Sequence, residues 1–262
     1  MKDMTGARLA SVLIACAWLA GCGSPAPQTG GMSADARERI AGAAEASGDD
    51  ELAESMYAKA SAQSPADTKL RLRYADTLLR ASKIDPARDM LTQSLATASD
   101  PIEIRRALGA LNVMSGQTGP AIVELDKVLA AQPDDPRALV DKAVALDLQG
   151  HHPEAQLLYQ RARQAAPDDP VIANDLALSM ALEGRVREAR DLLMPFKDRD
   201  HVPERIKVTV RILSSAIGDT GQLRPAGSGA GPDYQLIRMA VAFARAERGR
   251  EQVPNLPHAA TQ

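Results

Sequence analysis

A period of 34 residues runs through the middle of the chain. From residue 34 to residue 203 the sequence divides without a gap into five units: 34–67, 68–101, 102–135, 136–169 and 170–203. The eighth place of each unit holds Ala41, Ala75, Gly109, Ala143 and Ala177. The fifteenth holds Gly48, Ser82, Gly116, Gly150 and Gly184. Alanine fills the twentieth, at Ala53, Ala87, Ala121, Ala155 and Ala189. Tyr57, Leu91, Leu125, Tyr159 and Leu193 occupy the twenty-fourth, and Pro65, Pro133 and Pro167 the thirty-second in three units. Ser99 and His201 stand there in the other two. Alanine is common, so one column would carry little weight. Several columns of different chemistry in one register identify a repeat array.

The chemistry of the columns points to two helices per unit. Glycine at the fifteenth place ends the first helix, because a C-terminal cap often needs positive φ. Proline at the thirty-second ends the second, since it lacks an N–H and clashes with the preceding turn. The Asp-Asp-Pro runs 134–136 and 168–170 restart the next helix, with Asp as N-cap and Pro near N1. Apolar residues make up 45% of the chain and aromatics only 3%, so the core must be built from small and aliphatic side chains. The columns resemble the tetratricopeptide (TPR) consensus. That resemblance implies an all-α fold, a right-handed solenoid of about five helix-turn-helix repeats. It also implies that the eighth and twentieth residues meet where the two helices cross. The twenty-fourth then fills the hole between adjacent units.

Beyond the repeats, 204–217 has the apolar spacing of one more helix at Ile206, Val210, Leu213 and Ile217. A solenoid needs a terminal cap over its last open face, and this helix suits that role. Residues 218–232 are rich in Gly, Pro and Ala and read as a linker. Residues 233–249 read as an amphipathic helix with Leu236, Ile237, Ala240, Val241 and Ala244 on one face, and 250–262 as a disordered tail.

Residues 1–21 read as a signal peptide. Lys2 and Arg8 precede an apolar run from Leu9 to Leu19, too short for a permanent membrane span, which takes roughly 20 residues. The run ends in Leu19-Ala20-Gly21-Cys22, which resembles the bacterial lipobox. The resemblance implies cleavage before Cys22, a lipid on its thiol and attachment to a membrane. Residues 22–33 would then be the lipidated cysteine and a flexible tether. By the same resemblance Gly23, in place of Asp, favours the outer membrane. The other cysteine, Cys16, falls inside the discarded run, so the processed chain would have no disulfide.

Catalytic and nucleic-acid readings find little support. The net charge of −3 gives no basic footprint. His151 and His152 lie in the turn of unit four, apart from His201 and His258, without further ligands at metal-binding spacing. Both read as solvated turn residues. Gly227-Ser228-Gly229-Ala230-Gly231 lacks the Lys-Ser/Thr of a phosphate loop. Paired acids such as Asp49-Asp50 and Asp134-Asp135 fall in turns, where Asp is ordinary. The expectation is a non-enzyme with no cofactor, no metal, no small-molecule substrate and no nucleic acid partner.

In TPR stacks the first helices line a groove, and the resemblance places positions 2, 5, 9 and 12 of each unit on its wall. Units four and five supply Val140, Val144, Val171, Asn174 and Leu178, a largely apolar wall expected to face solvent and to hold a protein partner. Asn174 offers a donor and an acceptor to a peptide backbone. The alternative is that these residues pack only against the solenoid or the C-terminal helix. No unit has Lys at position 5 with Asn at position 9, so a clamp for a C-terminal carboxylate is not expected. Asn174-Asp175-Leu176-Ala177-Leu178, followed by Ala181-Leu182-Glu183-Gly184-Arg185, resembles the TadD family, TPR lipoproteins of the tight-adherence (Flp pilus) machinery. Asp175 is an insertion relative to that pattern. The resemblance implies a scaffold or pilotin-like factor in pilus or secretion assembly, with a secretin or another pilus component as partner. The alternative is a general periplasmic adaptor for cell-wall enzymes or outer-membrane protein folding. Replacing Cys22 with Ser should abolish acylation and release the protein from membranes. Labelling with a fatty-acid analogue that finds no lipid on the wild type would refute the lipobox.

Overall fold

The computed structural model describes residues 31–200 and 202–216. The segments read as signal peptide, lipidated cysteine, linker, C-terminal amphipathic helix and tail lie outside the described residues, as do His201 and Ile217.

Among the described residues the regular structure is all helical. Unit one holds α1 (Ala34–Ser47) and α2 (Asp50–Gln63), and unit two α3 (Thr68–Arg80) and α4 (Ile84–Ser94). Unit three holds α5 (Pro101–Met114) and α6 (Thr118–Ala131), and unit four α7 (Pro136–Leu148) and α8 (His152–Ala165). Unit five holds α9 (Pro170–Leu182) and α10 (Val186–Leu193), and α11 (Glu204–Ala216) comes after it. Each first helix packs on its own second helix and on the next unit.

Local sequence explains where the helices begin. The side chain of Asp67 accepts from the backbone N–H of Leu70, Asp100 from Ile102, Asp135 from Ala138 and Asp169 from Val171, at 3.0, 3.0, 3.0 and 2.8 Å. Such a cap contributes about 1 kcal/mol. Proline occupies the first turn of α5, α7 and α9, where its missing N–H has no partner to lose.

The ends of the first helices share one device. Gly48, Gly116, Gly150 and Gly184 have φ between 75° and 83°, and Ser82 has φ 60°. In every unit the next residue donates its N–H five residues back: Asp49 to Ala44, Lys83 to Leu78, Gln117 to Asn112, His151 to Leu146 and Arg185 to Met180. This is the Schellman pattern, which needs a left-handed residue at that place. Ser82 is the one described non-glycine residue with positive φ, a conformation that costs an L-residue roughly 1–2 kcal/mol.

Ala41, Ala53, Ala75, Ala87, Ala121, Ala143, Ala155, Ala177 and Ala189 are all fully buried. The residues of the twenty-fourth place, Tyr57, Leu91, Leu125, Tyr159 and Leu193, are buried with them. Small residues thus let the helices approach, and one large residue per unit fills the space beside them. The core is most continuous from unit three to α11, where Val113, Leu139, Leu176, Leu193, Ile206 and Leu213 belong to one cluster.

Unit five departs from its neighbours. Pro195 ends the second helix early, and Met194–Phe196 forms a 3-10 turn. Phe196 and Val202 fill the space left by the shortened helix. Helix α11 lies against α9 and α10, with Ile206, Val210 and Leu213 buried.

Gly109 tests how tightly the crossing is packed. A Cβ there would stand 2.6 Å from both Cγ and Cδ2 of the fully buried Leu125. Gly109→Ala gains about 1 kcal/mol of helix propensity but overpacks, at about 1–3 kcal/mol. It should lower the melting temperature by a few degrees. Gly119→Ala, with nothing within 4 Å of the new Cβ, should raise it slightly. Equal stabilisation by both would show that Leu125 repacks freely.

Candidate functional site

The positions that the TPR resemblance assigns to a groove lie on α1, α3, α5, α7 and α9, and their exposure varies from unit to unit. In unit one Asp35 is exposed and Glu38, Gly42 and Glu45 are half-buried. In unit three Arg106 and Ala110 are half-buried. In units four and five Val140, Val144 and Leu178 are 8%, 6% and 5% exposed, and Val171 is half-buried. Asn174 is 0% exposed.

The expectation that these apolar residues face solvent is therefore corrected. Val140, Val144 and Leu178 belong to the main core cluster. The reason lies in α9 itself. Apart from Asp175 it carries no charge and is apolar or small around nearly its whole circumference, and such a helix is a buried helix. Helices α7, α8, α10 and α11 all contact it. The five residues do share one region on two successive first helices. Asn174 stands among them, and neither its amide nitrogen nor its amide oxygen is hydrogen-bonded to any described residue.

Beside this wall lies a polar network. The Asp147 carboxylate, at position 12 of unit four, accepts from Tyr159 Oη at 3.1 Å and Ser179 Oγ at 2.8 Å, and pairs with His152 Nδ1 at 2.8 Å. His152 is therefore no freely solvated turn residue. It opens α8 and is held by Asp147. Gln156 Nε2 donates to Glu183 at 2.7 Å, and Arg185 donates to Gln156 Oε1 at 2.9 Å.

Unit one repeats the arrangement. Tyr57 Oη donates to Glu45 at 2.9 Å, and Thr77 Oγ1 donates to the same carboxylate at 3.0 Å. Arg80 pairs with it as well, and Arg73 bridges to Glu38 at 3.0 Å. Both networks thus join an acid at position 12, a tyrosine at position 24 and a hydroxyl at position 10 of the following unit. Sequence reasoning did not find them. The signal was available, because only units one and four carry Tyr at position 24, and both have an acid at position 12. Where position 24 is Leu, position 12 is Leu79, Val113 or Ala181.

Burial pushes both kinds of group upward. It raises the Tyr57 hydroxyl, helped by the hydrogen bond to Glu45. It raises the Asp147 carboxyl too, against the pull of His152, Ser179 and Tyr159. Among the described residues no group of three or more His, Cys, Asp or Glu could hold a metal ion, and no helix is long and apolar enough to cross a membrane.

The tetratricopeptide repeat model matches residues 44–111 and 112–178, just over half of the chain. The chain belongs to the tetratricopeptide repeat family. An uncharacterized protein of Sinorhizobium fredii, y4yS, is 40% identical over 75 residues, 29% of this chain and 39% of its own length. The chain therefore matches well under two thirds of that curated relative. Three solved TPR-type structures show the same fold. TTC0263, a thermophilic TPR protein of Thermus thermophilus, is 17% identical with a TM-score of 0.58, over 70% of this chain and 100% of its own. PilW, a widely conserved type IV pilus biogenesis factor, is 19% identical with a TM-score of 0.57, over 68% and 82%. MamA from Desulfovibrio magneticus is 18% identical with a TM-score of 0.56, over 63% and 93%.

The raised Asp147 gives a pH test with a definite sign. An acid whose folded value lies above its ordinary 3.8 binds protons more tightly in the folded state. It stabilises fully below 3.8, and that contribution is lost as pH rises through the folded value. Asp147→Asn removes the titration. The melting temperature of the wild type relative to this variant should fall as pH rises from about 4 to neutrality. A constant difference across that range would mean that Asp147 titrates normally.

Proposed function

We propose that this TPR protein is a non-catalytic scaffold that assists assembly of a pilus or secretion complex at the outer membrane, held there by lipid on Cys22. One observation carries the reading. The chain is a stack of tetratricopeptide repeats, whose model matches residues 44–111 and 112–178. Stacked helical repeats work by offering an extended surface to a protein segment.

The envelope placement rests on Leu19-Ala20-Gly21-Cys22 and the apolar run before it. The pilus assignment rests on the TadD-like stretch from Asn174 to Arg185. A type IV pilus biogenesis factor built on the same fold is compatible with it. The partner in this reading is a secretin or another pilus component.

Deleting the gene should reduce secretin multimers in outer-membrane fractions and surface pili together, and the wild-type gene should restore both. If multimers and pili persist at wild-type levels, the assembly role fails and a general periplasmic adaptor is the better reading.

A further inference from the structure

We propose that the outer face of α6 and α8 is a docking surface for a second copy of this chain, which meets it across a two-fold axis.

The proposal starts from two side chains at one place in the repeat. Position 22 is held by Ser55, Asp89, Val123, Leu157 and Asp191. It is polar in units one, two and five and apolar in units three and four. Val123 and Leu157 are also the two most exposed large apolar side chains among the described residues, at 53% and 62%. Each keeps most of its surface in water, so the stack itself gains little from either. Neighbouring apolar residues left open in this way mark an interaction surface, where scattered single ones do not.

The ground around them is smooth. Gly119 and Pro120 on α6, and Pro153 on α8, lie exposed about one turn before Val123 and Leu157. A Cβ at Gly119 would meet nothing within 4 Å. The nearby charges of α6 are already paired within the chain, Asp126 with Lys142 and Lys127 with Glu124. Covering this face therefore strips water from no lone charge on α6.

Charge complementarity names the occupant. Glu154 stands three residues before Leu157 and Arg161 four residues after it, and both are exposed. Within the chain Arg161 uses Nη2, toward Asp134 and the carbonyl of Pro133, which leaves the rest of its fork of donors for another carboxylate. The outer face of α8 thus reads acid, leucine, base. Such a face is complementary to itself run backwards. Helices α6 and α8 hold equivalent places in successive units, so they run the same way and a line through Val123 and Leu157 crosses both. A two-fold axis along that line lays each helix antiparallel on its own copy. Val123 then meets Val123, Leu157 meets Leu157, and each Glu154 reaches the Arg161 of the other copy. Lys127, four residues after Val123, comes over the other copy's Gly119, four residues before it, where no Cβ stands in the way. The parallel register, α6 on α8, sets Lys127 against Arg161 and loses these matches. Two helices per copy make a small contact, so the dimer is a weak one, with a dissociation constant on the order of micromolar.

The test reads the axis directly. The full chain carrying Leu157→Cys is made in cells and oxidised with copper phenanthroline. A residue on the axis meets itself, so this variant should give a disulfide-linked dimer. Ala165→Cys, exposed two turns further along α8, stands about 24 Å from its copy in this arrangement and should give none above the wild-type background. Sedimentation of the purified full chain should show a monomer–dimer equilibrium that Val123→Glu with Leu157→Glu weakens about tenfold or more, at unchanged helicity and melting temperature. Glu154→Arg should weaken the dimer, and Glu154→Arg with Arg161→Glu should restore it. Should the paired glutamates disturb the fold, the charge swap on exposed side chains still decides. A wild type that stays monomeric overturns the proposal, as does equal cross-linking at 157 and 165, a dimer indifferent to the paired glutamates, or a charge swap that restores nothing. So does a monomer whose binding to phosphatidylethanolamine–phosphatidylglycerol vesicles is lost with the paired glutamates, which assigns the face to lipid.

Discussion

Two alpha-carbon traces can approach closely only where the side chains between them are nearly absent. In this molecule that condition is met once per helix pair, at positions 8 and 20, and nine alanines there are completely buried. The closeness has a consequence for the neighbours. At Gly109 it brings Leu125 into the space that a Cβ would need, so the large residue of position 24 can seat itself against the crossing. A helix pair built this way exposes an apolar flank that it cannot cover alone. Stacking the next unit covers it, and the 34-residue spacing comes from repeating that step. The left-handed residue at position 15 serves the same end, because it turns the chain within two residues and sets the second helix back against the first.

The stack is not uniform along its length. At its N-terminal end a small apolar cluster of Tyr57, Ala60 and Leu70 is joined by polar contacts between units: Glu38 with Arg73, Glu45 with Arg80 and Thr77, Glu54 with Lys83. Partly exposed pairs of this kind contribute little, about 0–1 kcal/mol each. From unit two onward aliphatic side chains dominate, and the largest cluster runs from unit three into α11. Local opening free energy tracks buried apolar contact, so α1 and α2 are the helices that open most readily. Helices α7 and α9 sit in the most continuous part of the core.

Much of this was legible in the residues, and the failures have physical causes. Alanine, glycine and tyrosine or leucine at fixed spacing gave the register, because each is dictated by a backbone constraint that few residues satisfy. The Asp caps were legible for the same reason. The groove residues were misjudged because a consensus position specifies direction along a helix and not the groups in front of it. Val144 and Ala110 occupy the same place in their units, yet one is buried and the other is not. The Asp147 and Glu45 networks were missed because each spans two units, and a column-by-column reading treats tyrosine and leucine at position 24 as equivalent. The tyrosine hydroxyl makes them different. A buried phenol needs an acceptor, and the acid at position 12 supplies it.

That coupling bears on why the C-terminal wall contains polar groups at all. Asp147 and Asn174 differ in how they are satisfied. Asp147 is satisfied from within, by Tyr159, Ser179 and His152, so it fixes how α7, α8 and α9 sit together. Asn174 is satisfied by nothing within the described residues, so the stack gains no internal bond from it and bears the loss of its hydration. Replacing such a group with a shape-matched apolar one is nearly neutral or favourable for stability. Folding therefore gives no reason for an amide at that place.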